Sequence, residues 1–138
     1  MNTRPFLVGA LVFVAAFAAV SFYFSTVVDR PVRTISSVKS PDGHFKAVRI
    51  SVSRGGAAPF CFDSVAVILA VYPDNFAERS KSYDVFAAHC ARFADGAPSP
   101  GIEWLSDTDL RITHASKPQK AKNTDITKTV HVTFSAGE

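Results

Sequence analysis

The sequence is poor in the residues and spacings on which enzymatic chemistry usually depends. It has only two cysteines and four histidines among 138 residues, and no C-x-x-C, H-x-H or H-E-x-x-H spacing that would indicate zinc. The Gly-rich stretch Arg54-Gly55-Gly56 lacks the G-K-[ST] ending of a phosphate-binding loop. We therefore predict no catalytic residue, no metal site and no cofactor, and we expect that the protein is not an enzyme.

A strong excess of one charge is also absent. The net charge is +3 at pH 7, which is too small to indicate a nucleic-acid partner, because nucleic-acid binders concentrate basic residues on one face. One basic cluster is present, formed by Lys117, Lys120, Lys122 and Lys128. A solvated loop explains this cluster, and contact with anionic headgroups or an acidic partner is the alternative. Lys117, Lys120 and Lys122 are therefore candidate partner contacts.

The histidines and the paired aspartates are interpreted as structural. His89 adjoins a cysteine, but neighbours on a strand point to opposite faces and cannot form a Cys–His dyad. His114 and His131 are expected at distant ends of an antiparallel pair. Asp107 and Asp109 lie in a predicted hairpin turn, where carboxylates stabilise the backbone. A paired acid/base site is the alternative for these aspartates.

One long apolar run, Phe6–Val28, contains no charged residue. As a helix rising about 1.5 Å per residue it would span roughly 34 Å, more than the roughly 30 Å hydrocarbon core of a bilayer. We predict a tail over 1–5, a transmembrane anchor over 6–28 that contacts the lipid bilayer, and an exported β domain over 29–138. A signal peptide cleaved near Ala18 is the alternative, but the sequence stays apolar beyond that point, which favours an uncleaved anchor.

Two signals bear on which side of the membrane the domain faces. Basic residues flank both ends of the apolar run, with Arg4 before it and Arg30 and Arg33 after it. The positive-inside rule therefore does not determine the orientation of the segment in the membrane. A short start with one arginine before an apolar run is typical of an export signal. We therefore predict a single-pass protein of the bacterial inner membrane whose domain lies in the periplasm.

The two cysteines, Cys61 and Cys90, both follow the apolar run. An even number of cysteines in an oxidising compartment favours a disulfide. This disulfide would close a loop of about 30 residues and stabilise the fold by about 3–4 kcal/mol. Two buried free thiols, which behave as small apolar groups, are the alternative.

After the apolar run the sequence changes to short β-type segments separated by turn residues. A helix is the alternative for two of these segments, Phe62–Tyr72 and Tyr83–Ala91. We predict a mainly β domain of six to seven consecutive strands in an antiparallel sandwich or half-barrel. The predicted strands are Val32–Val38, Phe45–Val52, Phe62–Tyr72, Tyr83–Ala91, Ile102–Leu105, Leu110–His114 and Ile126–Phe134.

Two hairpin motifs carry a resemblance to a known group of proteins. The segments are SPDGHFKAVRI over Ser40–Ile50 and IEWLSDTDLRITHA over Ile102–Ala115. They resemble small uncharacterised bacterial domains that follow a membrane anchor or lipoprotein signal, with an S-P-D-G-[KR]-[YF]-x-A hairpin and a W-x-s-D-x-x-L-x-I hairpin. The resemblance implies a fold and a cysteine at the place of Cys61. It does not imply any particular activity, because those domains have no established one. His44 and the loop Ser53–Pro59 depart from the usual form.

These patterns favour a non-enzymatic, membrane-anchored protein-binding domain in the bacterial envelope, with immunity against a toxin as one form. Trp104 is interpreted as a core residue whose indole N–H bonds to backbone, and a partner contact is the alternative. The second hypothesis is a structural or assembly subunit of an inner-membrane complex, because small residues let another membrane helix approach closely. These small residues are Gly9, Ala10, Ala15, Ala16, Ala18 and Ala19.

Overall fold

A computed structural model describes residues 4–27, 30–56 and 58–137 of the chain, and the side chains of 8–23, 30–56 and 58–137. The chain divides into two units, Met1–Arg30 and Pro31–Glu138. The first unit is helical and the second is mainly β. Both features agree with the sequence pattern, in which one apolar run precedes alternating β-type segments.

The described residues of the first unit form one helix, α1, which runs over Arg4–Val27. In the part of the chain that the structure describes, no helix has both the length and the apolarity that a membrane crossing requires. The predicted anchor Phe6–Val28 is not described in full, because the side chains of 6, 7 and 24–28 lie outside the described residues. The large apolar side chains between residues 8 and 23 are exposed: Val8, Leu11, Val12, Phe13, Val14, Phe17, Val20, Phe22 and Tyr23.

Within its described residues, 31–56 and 58–137, the second unit contains ten strands in three sheets, where the sequence predicted six to seven strands. Each predicted strand corresponds to a long strand of the structure, and the additional strands β5, β6 and β9 have two residues each. A helix α2 (Asn75–Arg79) and a 3-10 helix (Lys81–Tyr83) precede β4. The strands are β1 Val32–Lys39, β2 Phe45–Arg54, β3 Phe60–Leu69, β4 Asp84–His89, β5 Ala91–Arg92, β6 Pro98–Ser99, β7 Gly101–Trp104, β8 Asp109–His114, β9 Lys120–Ala121 and β10 His131–Ala136.

The predicted Ser-Pro-Asp-Gly turn connects β1 and β2. The Gly43 amide donates to the Ser40 carbonyl over 2.9 Å, and Gly43 has a φ of 73°, which glycine adopts without strain. The Ser40 hydroxyl donates to Asp42 Oδ1 over 2.6 Å. The turn thereby fixes the antiparallel register from Lys39 opposite Lys46 through Val32 opposite Ser53.

The nearly continuous apolar segment forms β3, the central strand of a five-stranded antiparallel sheet with the order β1-β2-β3-β4-β9. Its successive side chains enter two different cores. Val65 and Val67 belong to a core shared with Phe86 and the second sheet, whereas Ala66 and Ile68 pack with the opposite core, which Phe76 of α2 covers in part. Burial on both faces explains why the segment lacks alternation.

The three-stranded sheet has the order β10-β8-β7 and contains a parallel pair. β10 runs parallel to β8, with His131 opposite Asp109, which is an exception within the mostly antiparallel pairing that the sequence predicted. The segment after β8 first supplies β9, which pairs with β4 in the other sheet. It then returns beside β8 in the same direction, as a crossover connection does.

The last strand begins later than its sequence pattern predicted. The alternation over Ile126–Phe134 is regular, yet β10 starts at His131. The side chain of Asp125 stabilises a turn in the segment just before β10. It accepts hydrogen bonds from the amides of Thr129 and Val130, each over 2.9 Å. Lys128 has a φ of 59° in this turn.

Candidate binding site at the end of β3

A cavity of about 220 Å³ lies where β3 extends beyond its neighbour. The pairing of β3 with β4 ends at Ala66 opposite Asp84, after a β-bulge, whereas β3 continues to Leu69. The cavity therefore follows from the mismatch in length between two adjacent strands. It is lined by Phe45, Val67, Ile68, Leu69, Tyr72, Tyr83, Asp125 and Thr127.

Three of the lining residues are aromatic, and α2 helps to hold two of them. The ring of Phe76, in α2, stacks on Tyr72 with centroids 4.5 Å apart. The same ring meets Tyr83 edge to face with centroids 5.4 Å apart. Such contacts restrict ring orientation, so both tyrosines are positioned before any ligand binds.

An ion pair between a buried lysine and a partly exposed aspartate fixes the segment that leads from β3 into α2. The ammonium of Lys46, a buried residue of β2, lies 2.5 Å from Asp74 Oδ1, and the Ser37 hydroxyl donates to Asp74 Oδ2 over 2.8 Å. The hydrogen bonds from Lys46 and then from Ser37 hold the pKa of Asp74 below its ordinary value. Asp74 therefore stays ionised and ties the start of α2 to β1 and β2.

Asp125 supplies the one carboxylate among the residues that line the cavity. Its Oδ2 accepts hydrogen bonds from the Thr127 amide over 3.0 Å and the Thr127 hydroxyl over 2.5 Å. Burial by itself raises the pKa of Asp125. The bonds from the Thr127 hydroxyl and from the amides of Val130, Thr127 and Thr129 outweigh burial, and the pKa lies below its ordinary value. Asp125 is therefore an anion at neutral pH.

Four large apolar side chains are exposed that either line this cavity or adjoin a lining residue in the chain. Leu69 and Tyr72 line it while each remains 38% exposed, and Ile126, between two lining residues in the chain, is 50% exposed. Val71, adjacent to Tyr72, is 83% exposed. We call these four residues the apolar rim. Clustered exposed apolar side chains mark interaction surfaces more often than single ones do.

A second and larger depression, of about 370 Å³, lies beside the disulfide at the other end of β2 and β3. Its charged groups are already engaged within the fold. Arg49 pairs with the buried Asp63 at 3.3 Å and donates to the Ser99 carbonyl over 2.7 Å, and the Ser51 hydroxyl also donates to Asp63. These contacts show that the polar groups of the depression stabilise the fold. The cavity at the end of β3, which we call the aromatic cavity, is therefore the stronger candidate site.

The predicted disulfide between Cys61 and Cys90 is confirmed. Cys61 lies near the start of β3 and Cys90 directly follows β4, and their Cα atoms are 5.3 Å apart. The Cys90 amide donates to the Cys61 carbonyl over 3.2 Å. The bridge therefore joins adjacent strands of the five-stranded sheet at the end opposite the cavity.

Trp104 and the candidate lysines lie outside the cavity lining. The Trp104 indole Nε1 donates to the Val38 carbonyl over 3.0 Å, and the ring packs against the core between the two sheets. The ammonium of Lys120 donates to the Lys81 carbonyl over 3.1 Å. Lys122 reaches the carbonyl of Ser82, the residue after Lys81, at 3.5 Å. The fold thus brings Lys81, which the sequence did not single out, to Lys120 and Lys122.

Asp84 lies beneath these lysines and is buried. Its Oδ2 is 4.0 Å from the Lys120 ammonium, and its Oδ1 has no hydrogen-bond partner among the described residues. Burial raises the pKa of Asp84, and the positive charges of Lys81, Lys120 and Lys122 offset only part of that rise. Asp84 therefore reduces the positive charge of the lysine group without forming a close ion pair.

The histidines are distributed over the fold. His131 starts β10 opposite Asp109, and His114 ends β8 opposite Ala136, so the two lie at opposite ends of a parallel pair. His44 contacts Asp42 in the first turn at 2.9 Å. Within the described ranges, no group of three or more His, Cys, Asp or Glu side chains is arranged to hold a metal ion.

The cavity residues were missed because no single segment contains them. Phe45 starts β2, Tyr72 follows β3, Tyr83 precedes β4, and Asp125 belongs to the turn before β10. Aromatic residues at strand ends are common and indicate no site by themselves. Only the pairing of β3 with strands of different length brings these four side chains together.

Comparisons with known proteins do not assign the chain to a family. No protein-family model matches it, and no curated protein or solved structure matches it at a significant level. The resemblance of the two hairpins to anchored bacterial domains stays a prediction.

Proposed function

We propose that this chain is a non-enzymatic, membrane-anchored protein-binding domain of the bacterial envelope, and that a partner protein docks on the apolar rim. The observation that carries the proposal is the exposure of four large apolar side chains, of which Leu69 and Tyr72 line the cavity while Val71 and Ile126 adjoin lining residues in the chain. The energetically dominant residues of protein interfaces lie in desolvated pockets, and the contacts around those pockets exclude water; the cavity and the apolar rim offer this arrangement.

The dimensions of the site favour a protein partner over a small molecule. The cavity of about 220 Å³ is smaller than the roughly 300–1,000 Å³ of pockets that enclose drug-sized ligands. A single side chain fits such a cavity, while the surrounding rim provides further contact area. A partner protein offers both features at once, since one side chain can enter the cavity and its neighbours can cover the rim.

Two observations support an anchored domain outside the cytoplasm. The exposed apolar side chains of α1 are costly in water and favour contact with lipid, and the 24 residues of the helix correspond to about 36 Å. The Cys61–Cys90 disulfide favours an oxidising compartment such as the periplasm. We therefore propose insertion of Phe6–Val28 as a single pass in the inner membrane. Immunity against a toxin partner is one form of this function.

Photo-cross-linking in living cells tests the docking surface. With a photoreactive amino acid at Val71 in the full chain, we expect a discrete adduct with a partner protein. Ile126→Asp should reduce this adduct by at least about tenfold, since a charge in the contact area is desolvated without compensation. Ile126 lies in an exposed turn, so the variant should still fold, as Trp104 fluorescence would verify.

The matched control places the photoreactive residue at Glu103, an exposed position of β7. No adduct of the same mass should form there. Equal adducts from both positions, or no adduct at Val71 in cells that produce the protein, would refute the proposed docking surface. An adduct formed only from a photoreactive residue at Gly9 would favour the assembly-subunit hypothesis instead.

A further inference from the structure

We propose that the aromatic cavity receives a basic side chain of the partner, a lysine ammonium or an arginine guanidinium. The inference rests on the proposed function in so far as the side chain belongs to a docked protein. It adds the chemical identity of the group that enters the cavity, which the apolar rim alone does not specify.

The lining has the composition of a cation receptor. Of the eight described residues that line the cavity, Phe45, Tyr72 and Tyr83 are aromatic and Asp125 is the only one that carries charge. A cation over the face of an aromatic ring is attracted by the ring quadrupole, most strongly where water is excluded. The described lining thus combines aromatic rings with a negative charge and contains no Lys, Arg or His.

Asp125 offers a ligand in the cavity its negative charge, but no free hydrogen-bond acceptor position. Its two oxygens together accept four hydrogen bonds, from the amides of Thr127, Thr129 and Val130 and from the Thr127 hydroxyl. A carboxylate offers about four lone-pair positions, so these bonds occupy them. A cation in the cavity would be attracted by the fixed negative charge, and the Thr127 oxygen would supply an acceptor.

The apolar rim fits the remainder of a basic side chain. Lysine and arginine place their methylene stems along apolar surface while the charged end reaches a polar group. The apolar rim provides the apolar surface, and Asp125 in the cavity provides the negative charge for the charged end of the side chain. An uncharged aliphatic side chain would match the rim but not Asp125, and an acidic side chain would be repelled by Asp125.

Titration with single amino-acid analogues tests this inference without knowledge of the partner. The full chain in detergent is titrated with N-acetyl-lysine methylamide, and the backbone amide signals of Thr127 and Tyr83 are followed by NMR. N-acetyl-norleucine methylamide, which has a similar stem without the ammonium, serves as the matched ligand. We expect saturable shifts with the lysine analogue and at least about fivefold weaker binding of the norleucine analogue.

Two substitutions at one position separate ring chemistry from folding. Tyr83→Leu should weaken binding of the lysine analogue by about threefold to tenfold, because it removes an aromatic face. Tyr83→Phe keeps the ring and should bind within about twofold of the unmodified chain. Neither variant disturbs the hydrogen bonds of Asp125, unlike Asp125→Asn, which would also affect the turn.

The outcomes distinguish this inference from the proposed function. Equal or tighter binding of the norleucine analogue, or no saturable shift with the lysine analogue, would overturn the cation receptor. An adduct at Val71 would still stand as support for a protein-binding rim. Conversely, lysine-specific shifts in a chain that forms no adduct in cells would retain the cation site and remove the partner-binding role.

Discussion

Phe86→Ala is expected to lower the free energy of unfolding by about 3–5 kcal/mol. Phe86 is completely buried in β4, and its ring faces side chains of the other sheet. Its centroid lies 6.1 Å from that of Phe134 and 5.9 Å from that of His114. Removal of the ring would leave a cavity between the two sheets that the rigid strands can fill only in part. Chemical denaturation followed by Trp104 fluorescence measures the effect, since Trp104 is the only tryptophan in the sequence.

The matched control is Phe60→Ala, the same substitution at the start of β3, where the side chain is 43% exposed. Its effect should stay below about 1 kcal/mol, as is usual for exposed positions. Comparable losses from the two variants, or a loss below about 1 kcal/mol for Phe86→Ala, would contradict the assignment of Phe86 to the centre of the core.

Replacing Cys61 and Cys90 together by serine is expected to lower the free energy of unfolding by about 3–4 kcal/mol. The bridge connects residues 29 positions apart, and a cross-link of this span restricts the unfolded chain much more than the folded one. The folded sheet should persist, because the two strands remain paired by backbone hydrogen bonds. The midpoint of chemical denaturation measures the loss.

A reductant supplies the control for the double variant. The unmodified chain should shift to the midpoint of the double variant when dithiothreitol is added, and the double variant itself should not respond. If the unmodified chain and the double variant unfolded at the same denaturant concentration under oxidising conditions, the bridge would contribute nothing and this prediction would fail.

Local signals in the sequence were sufficient for several elements. The turn of β1 and β2 is encoded by Pro41, Asp42 and Gly43, whose backbone preferences act within four residues. The β-branched apolar residues of Phe62–Tyr72 favoured a strand buried on both faces, with a buried helix as the alternative, and β3 has this burial. The two cysteines were paired correctly because no other pairing exists.

Other features could not be predicted from the apolar pattern of the sequence. The alternation over Ile126–Phe134 predicted a single strand, but the buried Asp125 bonds to the amides that follow it and forms a turn over the first half. Side-chain hydrogen bonds of this kind compete with strand formation and leave the apolar pattern unchanged. The parallel pairing of β10 arises from β9, a strand of two residues without a recognisable pattern.

The candidate site depended still more on the fold. The cavity exists because β4 stops pairing at Ala66 while β3 continues to Leu69, and no sequence pattern specifies relative strand length. Lys120, a candidate partner contact, donates a hydrogen bond to a backbone carbonyl within the domain. Trp104 donates to the Val38 carbonyl, in line with its interpretation as a core residue. Trp104 and Lys120 are thus accounted for by the fold, whereas the exposed apolar rim is not.

An exported, membrane-anchored domain is the basis of every functional proposal above, and its location in the cell is the most direct test. A topology reporter at the C-terminus of the full chain would be read together with thiol labelling of Cys61 and Cys90 in intact cells. We predict a reporter signal from outside the cytoplasm, retention of the chain in alkali-washed membranes, and thiols that react only after reduction. A cytoplasmic reporter signal with two freely reactive thiols would contradict the account.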